Sequence, residues 1–317
     1  MYRVGIDLGG TNIAVGVVDD NYNIIGSGKV KTKAPRPADE ICDDIAKAVK
    51  LAVANANLTM DDIGFVGIGA PGSINPVTGI IGFSNNLGFE NTPIVEMLES
   101  RIGKKIIIDN DANAAAVGEM LAGAGKGCNN IVAVTLGTGV GGGTIIDGKM
   151  LLGSNFAGGE LGHTVIDMDG VQCNCGRKGC WEAYASATAL VRQTKEKMLS
   201  NKDSKMWDIV NGNIDKVNGK TAFDAMRLND KAGTEVVDKY CDYVACGVIN
   251  IINLFQPDVI CIGGGISKEG DVLISRIEKH NSERFSRNID KQSLIKTAEL
   301  GNDAGIIGAA MLDKIYN

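Results

Sequence analysis

VGIDLGGTNIAVGVVD, residues 4–19, and VAVTLGTGVGGGTIID, residues 132–147, overlay when one is slid along the other by 128 positions. Val4 then meets Val132, Leu8 meets Leu136, Gly9 meets Gly137 and Asp19 meets Asp147. The apolar positions between them match in kind. Each segment reads as an apolar strand, a turn rich in glycine and threonine, and a second β-branched strand. A hairpin duplicated in this way predicts two similar α/β domains.

Outward from the two hairpins, strand patterns recur at 63–69, 106–109 and 258–262. Helical patterns occupy about 38–56, 112–122, 184–199, 233–255 and 303–316. Strands alternating with helices predict sheets covered by helices, with the hairpins adding antiparallel pairs. The polar stretch 200–230 reads as a peripheral insertion with two short helices at most. A boundary in AGAGKG, 122–127, divides the chain into 1–122, joined by the C-terminal helix 303–317, and 123–302. A net charge of −6 argues against a nucleic-acid surface, and no run approaches the roughly 20 apolar residues of a membrane span. The strand pattern begins with the first residues and leaves no room for a secretory leader, so a cytoplasmic protein with reduced thiols is expected.

Three glycine clusters stand out: DLGGTN at 7–12, LGTGVGGG at 136–143 and IGGGIS at 262–267. The middle one contains GxGxxG, but a dinucleotide site requires a helix next, and GTIIDGKM is strand-like. A Walker loop fails as well, because Ile214 stands where the first glycine should precede Gly219-Lys220-Thr221. Any one cluster is explained as a tight turn. Together they point to phosphate binding, since glycine lets backbone N–H groups approach an anion and threonine adds donors. The candidates are Gly9, Gly10, Thr11 and Asn12, then Gly137, Thr138 and Gly139, then Gly263, Gly264 and Gly265. Asp7, at the end of the first strand, is the kind of acid that serves Mg2+ beside phosphates.

In IIIDNDANAAAVGE, 106–119, a strand ends in two acids and an amide. Asp109, Asn110 or Asp111 reads equally as a helix N-cap or as a ligand group at the carboxyl end of a strand. Asn85 and Asn86 in FSNNLGF are turn formers or hydroxyl binders. Glu160 and His163 in GGELGH sit one turn apart among glycines that favour a loop. Acids and amides on loops suit a polyhydroxylated ligand, because each hydroxyl both donates and accepts.

CNCGRKGCWE, 173–182, brings Cys173, Cys175 and Cys180 together, while the other five cysteines are scattered and read as small core residues. Cys173 and Cys175 are too close for an easy disulfide, and a thioredoxin-type site would be CxxC. His163, ten residues upstream, supplies a fourth ligand for a Cys3His zinc site. Four protein ligands close the shell, so the metal would be structural.

From Val4 to the C-terminus the sequence resembles the ROK family of repressors and sugar kinases, within the actin-like/hexokinase-like ATPase superfamily. GGELGH followed by CNCGRKGCWE matches the family's signature and its CxCGxxGCxE motif. DLGGTN and LGTGVGGG match its phosphate motifs, and IGGGIS its nucleotide motif. The resemblance implies two RNase H-like domains of the actin-like ATPase type with a ligand cleft between them. It also implies ATP-dependent phosphorylation of a hexose at the 6-hydroxyl, glucose first. Asp111 matches the general base. Asn86, Asn110, Asp111, Glu160, His163 and Glu182 match sugar-binding residues, with Gly69 opening a backbone contact, and Asn86 is aligned because Leu-Gly follows it. His163, Cys173, Cys175 and Cys180 match the zinc ligands, and family members commonly form dimers. The alternatives are a kinase for mannose, N-acetylmannosamine, fructose or allose, a sugar-sensing regulator, and an actin-like ATPase without a sugar site. The regulator would need a DNA-binding segment ahead of DLGGTN, where only six residues precede Asp7.

Overall fold

Val4, Ile6 and Leu8 of β1 (Tyr2–Leu8) are wholly buried, and the strand turns through Gly9–Thr11 into β2 (Asn12–Val18). The computed structural model describes residues 1–284 and 293–316; residues 285–292 and 317, inside the domain ranges drawn from the sequence, lie outside the described residues. The pair is antiparallel, with Asp7 opposite Ala14, and β3 (Ile24–Lys31) adds antiparallel to β2. Helix α1 (Ala38–Asn55) buries Ile41, Ile45, Val49 and Ala52, a three-to-four-residue spacing that lays one stripe on the core of β1. Strand β4 (Ile63–Ala70) runs parallel to β1. A separate antiparallel sheet follows, built from β5 (Ser73–Asn75), β6 (Ile80–Ser84) and β7 (Phe89–Thr92). Then come α2 (Ile94–Ile102), β8 (Ile106–Asn110), parallel to β4, and α3 (Asp111–Ala122).

The first sheet has the order β3-β2-β1-β4-β8. Its three parallel strands are in register at their carboxyl ends: Asp7 pairs with Gly69, and Gly69 with Asp109. This row is what positions the candidate site, because α3 starts two residues beyond it.

The remaining elements are β9 (Ile131–Leu136), β10 (Val140–Ile146), β11 (Lys149–Met150), α4 (Glu182–Ala185), α5 (Ala187–Ser200), α6 (Met206–Ile209), α7 (Thr221–Arg227), α8 (Lys231–Phe255), β12 (Val259–Gly263), α9 (Asp271–Arg284), β13 (Leu294–Thr297), α10 (Ala304–Ala310) and α11 (Asp313–Tyr316). The second sheet has the order β11-β10-β9-β12-β13, the same succession of hairpin, third strand and two later strands as in the first. The duplication read from residues 4–19 and 132–147 is thus a duplication of sheet topology.

Two compact units result: Met1–Ala133 with Gly143–Gly159 and Glu299–Asn317, and Val134–Gly142 with Glu160–Ala298. In the first, α10 packs on β1, β4 and α3 through small residues. A Cβ on Gly67 would lie 1.9 Å from the Ala309 carbonyl oxygen, and one on Gly308 would lie 1.6 Å from that of Ala114. Only glycine permits that approach. In the second unit, α8 buries Val237, Tyr240, Val244 and Val248, and Trp181 is enclosed with its indole N–H on the Tyr243 carbonyl at 2.8 Å.

The single helix expected at 303–316 is broken. The chain turns at Met311 and Leu312, both wholly buried, between α10 and α11. Segment 200–230 holds α6 and α7 with a 3₁₀ turn at Ile214–Lys216 between them. Among the scattered cysteines, Cys42, Cys241 and Cys261 are buried, while Cys128 and Cys246 are half-buried.

Candidate functional site

In the first unit the glycine turn after β1 is braced from behind. Gly9 N–H donates to the Asn12 carbonyl at 2.9 Å. The Thr32 hydroxyl donates to the Gly9 carbonyl at 2.5 Å, Ala34 N–H to that of Gly10 at 3.3 Å, and Thr32 N–H to that of Thr11 at 3.0 Å. Lys31 Nζ holds the Asn12 side-chain oxygen at 2.9 Å. The carbonyls of the turn are thereby drawn into the protein, and an anion approaching it would meet less oxygen repulsion. Thr32 is wholly buried. The sequence carried no sign of its part, because it lies at the end of a different strand.

Asp7 sits above this turn, against the backbone of Gly305 in α10. Burial pushes its carboxyl up from 3.8 to about 6, and the Asp111 carboxylate adds to the shift. Asp111 is open to solvent on one side, yet the protein around it removes enough water to raise its pKa as well, against the pull of its own and Ala112's N–H. Two neighbouring acids that both resist ionisation suit a base and a cation ligand.

The corner between β8 and α3 is held by its own polar groups. Asn110 caps α3, its side-chain oxygen accepting from Ala112 N–H at 2.9 Å, while its amide nitrogen donates to the Gly72 carbonyl at 3.3 Å. An amide has four hydrogen-bonding positions, so half its capacity remains for a ligand. Asp109 accepts from Asn110 N–H at 2.7 Å and from the Asn113 amide at 3.0 Å. Of the three residues left open by the sequence, Asn110 is the cap, Asp109 is buried and structural, and Asp111 is exposed. Asn85 and Asn86 are both exposed in the turn between β6 and β7, and the Asn86 carbonyl lies 2.9 Å from where a Gly10 Cβ would stand. Gly69, the row partner of Asp7 and Asp109, leaves only 3.4 Å between its absent Cβ and the Asp111 Cα.

The second unit repeats the device. After β9, the Gly137 carbonyl accepts from Ala187 N–H at 2.8 Å and the Thr138 carbonyl from the Thr188 hydroxyl at 2.8 Å, both at the start of α5. Val140 N–H donates to Glu182 at 3.0 Å, and Gly162 presses on the Val140 carbonyl. The third cluster ends β12: Gly264, with φ +86, packs on the Leu136 backbone, 2.5 Å from its absent Cβ to the carbonyl oxygen. The turns at 137–139 and 263–265 are therefore neighbours.

His163 ends a 3₁₀ turn, Leu161–His163, that Glu160 opens. His163, Cys173, Cys175 and Cys180 place one donor atom each within 4.8 Å of every other. Two edges of this group measure 3.8 Å, from Cys173 Sγ to His163 Nδ1, and 3.5 Å, between the Sγ atoms of Cys175 and Cys180. A tetrahedral ion with metal–sulfur bonds of about 2.3 Å has edges of about 3.8 Å, so the four residues fit such an ion. The Arg177 guanidinium donates to the His163 carbonyl, and the Arg177 backbone N–H holds the Cys175 thiol below its ordinary pKa. Arg177 was not singled out by sequence, although it lies inside the motif.

Residues 3–315 match the family described as the ROK family. The chain is 37% identical to a glucokinase of Thermotoga maritima over 98% of this chain and 96% of that one. A ROK family glucokinase of Streptomyces griseus, solved in complex with glucose and AMPPNP, superposes with a TM-score of 0.81 at 35% identity, covering 98% and 99% of the two chains. A ROK hexokinase of Thermus thermophilus superposes with a TM-score of 0.80 at 29% identity, covering 98% and 97%. No helix among the described residues is long and apolar enough to cross a membrane.

Proposed function

The chain belongs to the ROK family, and from that premise we propose that it is an ATP-dependent hexose kinase that converts glucose to glucose 6-phosphate. The observation that carries the reading is Asp111. It opens α3 one residue past the parallel strand β8, solvent-accessible, partly desolvated, and beside a second acid, Asp7.

In this reading Asp111 takes the proton of the sugar 6-hydroxyl as the oxygen attacks the γ-phosphoryl group in line. A base whose pKa is raised accepts a proton more readily. Asn86, Asn110, Glu160, His163 and Glu182, with the Gly69 backbone, bind the sugar hydroxyls. The braced turns at Gly9–Asn12 and Gly137–Gly139, with Gly263–Gly265, receive the nucleotide. Their work is positioning and charge neutralisation, which carry most of the acceleration in phosphoryl transfer. Asp7 would hold Mg2+, which supplies charge neutralisation at the phosphates. His163, Cys173, Cys175 and Cys180 would hold Zn2+, which in a closed shell supplies local stability and no chemistry. A cytoplasmic location and a homodimer complete the reading.

A coupled assay with ATP across a hexose panel tests it. Glucose is expected to give the highest kcat/KM, with mannose, N-acetylmannosamine, fructose and allose behind it. A preference for another hexose would move the substrate and leave the kinase standing. ATP hydrolysis that no sugar accelerates would overturn both.

A further inference from the structure

The C-terminal helix α11 is one turn long, yet three of its side chains reach across the first unit. Asp313 accepts from Arg3 Nε with both carboxylate oxygens, at 3.2 and 3.0 Å. Lys314 donates to the Tyr22 hydroxyl at 3.1 Å and lies over that ring, 4.7 Å from its centre. Tyr316 donates its phenol to Asp109 Oδ2 at 2.5 Å.

Asp109 is 2% exposed and sits two residues before Asp111. Its Oδ1 accepts from the Asn110 N–H and from Asn113 in the first turn of α3, so this carboxylate staples the end of β8 to the start of the helix. Oδ2 points the other way and is met by Tyr316. Burial drives the Asp109 pKa up, while its three donors pull it down. A buried carboxylate short of a donor loses roughly 1–3 kcal/mol, more when charged, and shifts or takes up a proton to compensate.

We propose that Tyr316 is a positioning residue: by completing the hydrogen bonds of Asp109 it fixes the strand-to-helix corner from which Asp111 acts. The proposal rests on the reading of Asp111 as the base. Tyr316 touches neither Asp111 nor the glycine turns in any hydrogen bond of this corner; its effect passes through Asp109. The anchoring of α11 by Arg3 and Lys314 keeps the phenol in place.

The test is a double-mutant cycle in the full-length protein with Tyr316→Phe, Asp109→Ala and the pair. Displacing a catalytic group by about 1 Å costs up to roughly 100-fold, so a small rotation of the corner should lower kcat by about tenfold in Tyr316→Phe, with the glucose KM within about twofold of wild type. Alanine at 109 removes the carboxylate through which Tyr316 acts and leaves no polar group facing residue 316. In that background Tyr316→Phe should change kcat by less than about twofold, since coupled sites are not additive. Thermal melts of all variants show whether a general loss of fold accompanies the effect. Wild-type kcat in Tyr316→Phe overturns the proposal, and so does a double variant whose two losses multiply. Asp111→Asn is measured alongside. If it keeps near-normal turnover, the base assignment falls and this proposal with it; if it is inactive while Tyr316→Phe is unaffected, this proposal alone falls.

Discussion

Glu182 Oε2 accepts a hydrogen bond from the backbone N–H of Val140 at 3.0 Å, and its Oε1 stands 3.8 Å from the Cys173 thiol. The acid that ends the cysteine motif therefore braces the second glycine turn. The family resemblance implies a sugar contact for it and nothing more. Truncation should be felt at both substrates. A hydrogen bond to a charged group contributes about 1.5–3 kcal/mol, so Glu182→Ala should raise the KM for ATP by about tenfold as well as that for glucose. Glu182→Gln keeps an acceptor for Val140 and should spare the ATP KM. Steady-state kinetics with each substrate varied in turn decide it: a rise in the glucose KM alone would show that the brace does not matter.

The same contact extends to the cysteine loop. Cys175 is the exposed member of the four-residue cluster, so Cys175→Ser removes a proposed ligand without opening a cavity. We expect the wild-type protein to carry zinc by metal analysis and the purified variant to have lost it. Metal binding is folding free energy, and its melting temperature should drop by several degrees. The KM values for both substrates should rise together, because the loop carries Glu160 and His163 and leads directly into Glu182. Unchanged zinc content or unchanged stability would remove the metal from the account.

Asp111→Asn removes the proposed base and keeps the shape and the start of α3. Loss of a general base costs about 10²–10⁴-fold in rate, and that loss should fall on kcat. Glucose and nucleotide binding, followed by calorimetry, should persist. Near-normal kcat would return the role to another group.

Thr32 offers a test of the glycine turn itself. Thr32→Val keeps the buried shape and removes the hydroxyl that draws back the Gly9 carbonyl. The freed oxygen can rotate toward the phosphates, and the missing bond leaves a buried acceptor that costs about 1–3 kcal/mol. The ATP KM should rise by about tenfold with the glucose KM unchanged. Thr188→Val should do the same at the second turn, where the hydroxyl holds the Thr138 carbonyl. If both variants bind ATP normally, the bracing is structural only.

What the sequence made legible was whatever repeats or clusters along the chain. The hairpins at 4–19 and 132–147 show in apolar alternation around glycine, and the cluster of His163 with three cysteines shows in spacing alone. Strand β3 and the sheet β5-β6-β7 escaped notice, since Lys29, Lys31 and Asn75 break the apolar runs and half of each short strand faces solvent. Helix α9 escaped for the same reason, its sequence being mostly polar. The supports of the site were illegible on different grounds. Thr32 acts on Gly9 from 23 residues away, Thr188 on Thr138 from 50, and Tyr316 on Asp109 from 207. Such pairings exist only once strands are in register, and no local pattern encodes them.

Asp7 supplies the prediction with the clearest sign. Its carboxyl titrates at 3.8 when unfolded and at about 6 in the folded protein, chiefly because burial disfavours the charge. Below about pH 4 both states hold the proton and the site is neutral to stability. As pH rises toward 6 the unfolded state ionises first, so folding loses stability through this window, and above it the full penalty remains. A shift of about two units corresponds to roughly 3 kcal/mol. Asp7→Asn removes the charge and should raise the melting temperature of the protein, free of nucleotide and magnesium, by several degrees at pH 7.5. The gain should shrink as pH falls toward 4.5. The same variant should lose kinase activity, because the carboxylate is the proposed Mg2+ ligand. In the wild type, kcat should fall as pH drops through about 6, where Asp7 takes up a proton, and burial, which raises the pKa of Asp111 as well, adds to the loss in acid. A variant that is less stable at pH 7.5, or equally stabilised at both pH values, would mean that the Asp7 charge is already neutralised in the free protein.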